Sequence, residues 1–271
     1  MKHKLVCTIA LVFLANTAHA QTYVVGVENL AFMPHYSTDK QGNYCGFARE
    51  VLDLFAATAG IQFDYRPLSG ERLLAALLQG EVDFKYPDNP TWAQGQKAGK
   101  NLSYSQAVVN YVDGVLVPPM RQGQGVDKLQ RLAIVNGWTP WAYQARVEAK
   151  HTQLIASDDL PAMIKLALRK DADGAYFNIV VASYYLDNIR AQPGALVFDP
   201  KLPFTRGTFN LSSSRHPQLI QRFDQFLIEQ HEQIAKLKDK YQVEANLDSE
   251  FMGMEQWKVD ALKRQKAKQT H

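Results

Sequence analysis

Along the first hundred residues the apolar positions switch between two periods. TYVVGVE (22–28) is a β-branched and aromatic run that predicts a buried strand. After the loop NLAFMPHYSTDKQGNY, the segment FAREVLDLFAATAG spaces Phe47, Val51, Leu54 and Phe55 helically and stops at Gly60, a usual helix terminator. IQFDYRPL then predicts a second strand. GERLLAALLQG lines Leu73, Leu74, Leu77 and Leu78 on one helical face and ends at Gly80, after which Val82 to Tyr86 extend again. Strand, helix, strand, helix, strand within about 65 residues predicts an α/β fold with a mainly parallel sheet flanked by helices. Ligands of such sheets bind beyond the carboxyl ends of the strands, which places residues 29–36 and 85–92 at a site by topology alone.

A second block repeats the design without repeating the sequence. After YVDGVLVPP, LQRLAIVNGWTPWAYQARVEA predicts a strand, a Gly turn and a helix. LPAMIKLALRKDADGAYFNIVVASYYL adds a helix carrying Leu160, Ile164, Leu166 and Leu168, a strand near Ala175 and another helix. VPPMRQGQGVDK, rich in Pro, Gly and Gln, has the composition of a linker between the blocks. FTRGTFNLS (204–212) extends out of the second block, and HPQLIQRFDQFLIEQHEQIAKLKDKY predicts one long helix with Leu219, Phe223, Phe226 and Leu227 on one side. The simplest body for that helix to cover is the first block. The basic tail VDALKRQKAKQTH predicts a solvated helix end or a frayed terminus.

The N-terminus changes the picture of where the chain works. MKHKLVCTIALVFLANTAHA has Lys2 and Lys4, a short apolar run and Ala18-His19-Ala20, the layout of an export signal cleaved after Ala20. Removing 20 of 271 residues leaves 251, and 28 basic against 27 acidic residues give the mature chain a charge of +1. That balance suggests no nucleic-acid partner. Cys7 lies in the signal, so the mature chain keeps Cys45 alone and can form no internal disulfide. Cys45, beside Gly46 at a helix start, is expected to be a small packed residue. A soluble, monomeric periplasmic protein is the expectation.

At this point the residues resemble a known family. VVGVE, GNYCGFAREVLDLFAATAGIQFDY, LLQGEVDF, NGWTP and DADGAYFN, in this order and spacing, resemble the type II periplasmic solute-binding proteins of family 3, the amino-acid-binding group. The resemblance implies two lobes joined by two hinge crossovers, closing on a small solute that is delivered to an inner-membrane ABC permease or to a sensor receptor. Residues 21–115 with 208–271 are expected to form lobe 1 and residues 116–207 lobe 2, with crossings near 114–120 and 205–212. Such relatives place an Arg about a dozen residues after the equivalent of Asp83 to grip the solute's α-carboxylate, and an Asp at the end of a second-lobe strand for its α-amine. Here the first stretch reads NPTWAQGQKAGK, whose cations are Lys97 and Lys100, and the second position is Asn178.

With both halves of that clamp altered, two readings stay open: Arg206 or Lys85 replaces the missing cation, or the solute has a different head group. In DFKYPDNPTW, Pro87 and Pro90 stiffen the loop, so Asp88 and Asn89 are expected as acceptors in the cleft, with Tyr86 and Trp92 as apolar or cation-attracting surfaces. Phe32 and Tyr36, and Trp138 after the second-block strand, add aromatic area; packing inside the lobes is the alternative for each. The backbone N–H groups of Trp138 and Thr139 and the Thr139 hydroxyl offer donors to an anion, or Thr139 simply caps the helix. The set suits a polar, aromatic or cationic solute resembling an amino acid.

His35, His151, His216 and His231 fall in no metal or nucleophile motif, so neither cofactor nor metal is expected. A few relatives resemble periplasmic cyclohexadienyl dehydratases, which would cast Asp88 as an acid beside Lys85 and Arg206. A module regulating a sensor or partner enzyme shares every sequence feature with a transport component.

Overall fold

The computed structural model of the protein describes residues 20–269; apart from Ala20, the expected export signal lies outside the described residues, as does Cys7. The first half follows the predicted alternation: β1 (Thr22–Glu28), α1 (Phe47–Ala59), β2 (Gln62–Leu68), α2 (Gly70–Gln79) and β3 (Phe84–Asp88). Gly60 and Gly80 end the two helices at φ of 66° and 75°, left-handed positions that cost a Cβ-bearing residue energy. β1 pairs in parallel with both β2 and β3.

β4 (Val109–Val117) leads into the second half, with β5 (Arg131–Val135), α3 (Gln144–Glu148), β6 (Gln153–Ser157), α4 (Leu160–Leu168), β7 (Gly174–Asn178) and α5 (Ile179–Tyr184). β8 (Thr205–Ser213) returns. The strands run in one path, β2-β1-β3-β8-β4-β7-β5-β6, so the returning strand and the outgoing strand lie side by side at its centre. Thr205 to Phe209 pair with β4, while Asn210 and Ser212 pair with β3. The two crossovers are thus strands held by ladder hydrogen bonds. The Pro- and Gly-rich stretch after β4 lies entirely on the second half, in single 3-10 turns at Pro119–Arg121 and Val126–Lys128, with the Gly123 N–H donating to Asp199 at 2.7 Å.

Four local departures from the predicted elements have physical causes. β3 does not stop at Tyr86 but continues through Pro87 to Asp88, tolerated because its pairing with β8 shifts register there and needs no donor from the proline. β6, QLIAS, is too short and too weakly apolar to stand out, yet it forms the edge of the sheet. The long C-terminal helix is two, α6 (Pro217–Glu229) and α7 (His231–Tyr241), broken where Gln230 leaves helical dihedrals. The break lets both lie on α1: Phe55 meets Phe223 and Phe226 at 5.0 and 5.4 Å, and Glu50 binds Lys240 and Tyr241. Cys45 is exposed, not packed.

Candidate functional site

β1 and β3 deliver Glu28, Lys85 and Asp88 to one end of the first half, where a cavity of about 270 Å³ is lined by these residues with Leu73, Trp92 and Lys97. Larger grooves, of about 460 Å³ between α1 and α7 and about 650 Å³ beside Arg131 and Arg146, lie away from this convergence of strand ends. Within the smaller cavity the charges are already paired. Asp88 is fully buried; Lys97 and Lys85 place their Nζ atoms 2.8 and 3.0 Å from its Oδ1, and the Ser212 hydroxyl donates to Oδ2 at 2.7 Å. Burial alone would raise the Asp88 pKa, but Lys85, Lys97 and Ser212 outweigh it and hold the carboxyl below its usual range. Burial lowers the Lys85 pKa against the pull of Asp88.

Asn89 braces the next loop. Its side-chain amide donates to the Thr208 carbonyl at 2.8 Å, and its Oδ1 accepts from the Thr91 N–H and hydroxyl at 2.9 and 2.7 Å. That turn fixes Trp92, whose ring lies 5.7 Å from the Lys85 ammonium and 5.9 Å from Phe209. Asp88 and Asn89 therefore serve the frame of the site, where free acceptors facing the cleft were expected.

The second half supplies an aromatic wall. Trp138, after β5, stacks on Phe177 of β7 at 4.3 Å and on Phe32, after β1, at 5.7 Å. Phe32 also stacks on Tyr36 at 5.0 Å. Phe32, Trp138 and Phe177 thus meet across the two halves. Tyr36 is buried with its hydroxyl donating to Glu28, and Tyr86 is buried with its hydroxyl unpaired.

The remaining expected residues are placed differently. The Trp138 N–H donates to the Val135 carbonyl at 3.0 Å, and only 3-10 turn separates the NGWTP turn from the five-residue α3, so no helix start points at an anion there. Thr139 is exposed and caps no helix by its side chain. Asn178 uses Oδ1 to accept the N–H groups of Val180 and Val181, both at 3.1 Å, which starts α5, and leaves its buried Nδ2 unpaired. Arg206 is not brought to the site: it donates to the Leu247 carbonyl at 2.7 Å and pairs with Asp248 at 3.2 Å. Local pattern missed Glu28, Tyr111, Phe177 and Phe209. Their common signal is position at the carboxyl end of a strand or within a crossover.

A model of the bacterial extracellular solute-binding proteins, family 3, matches residues 23–244. An ancestral amino acid-binding protein, described as a precursor of cyclohexadienyl dehydratase, aligns with a TM-score of 0.63 and 18% identity over 81% of this chain and 94% of its own. The ligand-binding core of GluR0 in complex with L-glutamate aligns at 0.66 and 16% identity, over 83% and 99%. An arginine transport system periplasmic binding protein from Legionella pneumophila aligns at 0.65 and 14% identity, over 82% and 100%. A search of curated proteins returns no significant match. At these identities the structural likenesses carry the two-lobed fold and nothing about the solute.

Proposed function

The chain belongs to the bacterial extracellular solute-binding proteins of family 3, and from that membership we propose that it is a monomeric periplasmic receptor for a small aromatic or cationic, amino-acid-like solute, which it hands to an inner-membrane ABC permease. The observation that carries this reading is the meeting of Phe32 with Trp138 and Phe177 across the crossovers. Aromatic surfaces split between two hinged bodies touch only when the bodies close, so a flat or cationic solute lying against this joined surface gains contacts that the open form lacks. About 5.5 kcal/mol of such preference shifts a population from 1:99 to 99:1.

The pairing of Asp88 with Lys85 and Lys97 favours the same reading over two others. A free α-amino acid would have to draw its carboxylate's partner from an ion pair already made. A dehydratase would need a proton on an acid that its neighbours keep ionised. The described residues include no helix long and apolar enough to cross a membrane, which is compatible with a periplasmic setting.

The test is a melting screen of residues 21–271 against a metabolite library, followed by small-angle scattering of each hit. A true solute raises stability by about 2.7 kcal/mol at a hundredfold excess over Kd and shrinks the particle. Unchanged scattering profiles with every hit, or conversion of a hit to a new product, overturn the reading.

A further inference from the structure

β4 carries one charged residue in nine, Asp113 in VNYVDGVLV. Asp113 sits between Thr205 of β8 on one side and Asn178 of β7 on the other, so the three side chains share one face of the sheet at the crossover. Tyr111, two residues earlier and on the same face, stacks on Phe209 at 4.7 Å and lies 6.2 Å from Trp92. Phe209 in turn lies 6.2 Å from Phe32, so Tyr111 and Phe209 connect this face to the first-half member of the aromatic contact. Arg206, one residue beyond Thr205, alternates to the opposite face and is engaged there by Leu247 and Asp248.

The Asp113 carboxylate is partly buried and, among the described residues, neither ion-paired nor hydrogen-bonded. Burial pushes its pKa up to about 7. An unpaired acid in such a place is costly, and the unpaired amide Nδ2 of Asn178 lies in the neighbouring strand at the same level. One carboxylate beside Tyr111 and Tyr176 is a poor metal site, since hard cations need several oxygen ligands, but it matches an organic cation that aromatic faces also attract.

We propose that Asp113 is the subsite for the positive group of the solute, an organic ammonium or guanidinium held at the floor of the cleft by the hinge strand. The inference rests on the solute-binding reading above and narrows it to cations. It also moves the acid that anchors the solute from the end of a second-lobe strand, where Asn178 stands, to the crossover beside it.

The experiment is calorimetric titration of residues 21–271 with phenethylamine, agmatine and choline, and with uncharged 2-phenylethanol and 3,3-dimethylbutanol. At least one cation is expected to bind while the uncharged compounds do not, and Asp113→Asn is expected to weaken that cation roughly ten- to hundredfold. Asp127→Asn, on the far surface of the second half, leaves it unchanged. Affinity in the unsubstituted chain rises as pH passes about 7, because the other titratable groups facing Asp113, the Tyr111 and Tyr176 hydroxyls, are both raised by burial and stay neutral. The pH profile keeps the test valid should Asp113→Asn fail to fold. Equal affinity in Asp113→Asn, equal binding of the uncharged compounds, or no binding by any of the three cations overturns the assignment. If scattering shows closure with a neutral or acidic solute instead, the assignment falls and the receptor reading stands; if nothing closes the lobes, both fall.

Discussion

The Nζ of Lys97 lies 2.8 Å from Oδ1 of Asp88, a carboxylate with no exposed surface. Lys85 reaches the same oxygen from within β3, so two cations at the strand-end cavity of the first half are consumed by a residue of the chain itself. The arrangement resembles an occupied clamp.

Breaking this pairing exposes its cost. Asp88→Ala leaves two buried ammonium groups without their acid and is expected to destabilise the fold by about 3 to 5 kcal/mol in urea denaturation. Replacing all three together, Asp88→Leu with Lys85→Met and Lys97→Met, recovers much of that loss because no unpaired charge remains. A single variant within about 1 kcal/mol of the parent would show that water already shares these charges.

Trp138 bridges the lobes, and its loss favours opening. Trp138→Ala removes stacking on Phe32 and Phe177, pairs worth about 0.5 to 1.5 kcal/mol each beyond their buried area. The expected outcome is a larger radius of gyration without solute and a weaker response to any hit. Trp141→Ala is the control, since that ring is 60% exposed. Identical scattering from both variants would remove Trp138 from the closure mechanism.

Much of this frame was legible in the chain. Gly60 and Gly80 marked both helix ends, and the alternation of elements located the strand ends that line the candidate cavity. Three features were not legible, each because its cause is distant in sequence. Asp88 looks like an exposed loop acceptor until Ser212, 124 residues away, and Lys97 close over it. Arg206 looks available until residues 247 and 248 return to take it. The break at Gln230 lets α6 and α7 both reach α1, a long-range fit that no local propensity encodes. Asp113 did leave a signal, a lone charge inside an apolar strand, although Asp-Gly there suggests a turn.

Two titratable groups, the buried His35 and the partly buried Asp113, should give stability opposite dependences on pH. His35 is fully buried with both ring nitrogens unpaired, and burial pushes its pKa down from 6.5 to about 3. Between those values the unfolded chain takes up a proton that the folded chain refuses, so stability is lost as pH falls below about 6.5. For Asp113 the folded pKa is raised from 3.8 to about 7, so the folded chain keeps a proton that the unfolded chain releases, and stability is lost as pH rises through that window. The parent should therefore show a shallow profile between about pH 4 and 6.5. His35→Phe should gain stability on acidification and Asp113→Asn should lose it, each by about 1 kcal/mol per pH unit in urea titrations. Parallel profiles for the two variants would contradict the burial of one or both groups.

The chain beyond Tyr241, expected to stay with the first lobe, instead reaches the second. Leu247 and Val259 are buried, Asn188 donates to Glu255 at 2.7 Å, and the Lys258 ammonium sits 2.5 Å from Asp187 next to α5. At Gly253, with φ of 78°, a Cβ would come within 2.9 Å of Ile179, so this segment presses its backbone onto α5. Together with Arg206 holding Leu247, it forms a third tie between the lobes, along the back of the crossovers. Burial raises the Asp187 pKa and Lys258 only partly offsets it, which makes the pair sensitive to loss of the cation. Lys258→Ala should lower stability by about 2 to 3 kcal/mol and speed proteolytic nicking between residues 245 and 269. Adding Asp187→Asn should restore most of the stability by removing the buried charge, while nicking stays fast because the tether is still cut. If Lys258→Ala melts and digests like the parent, the tie is held by Leu247 and Val259 alone and the ion pair is dispensable.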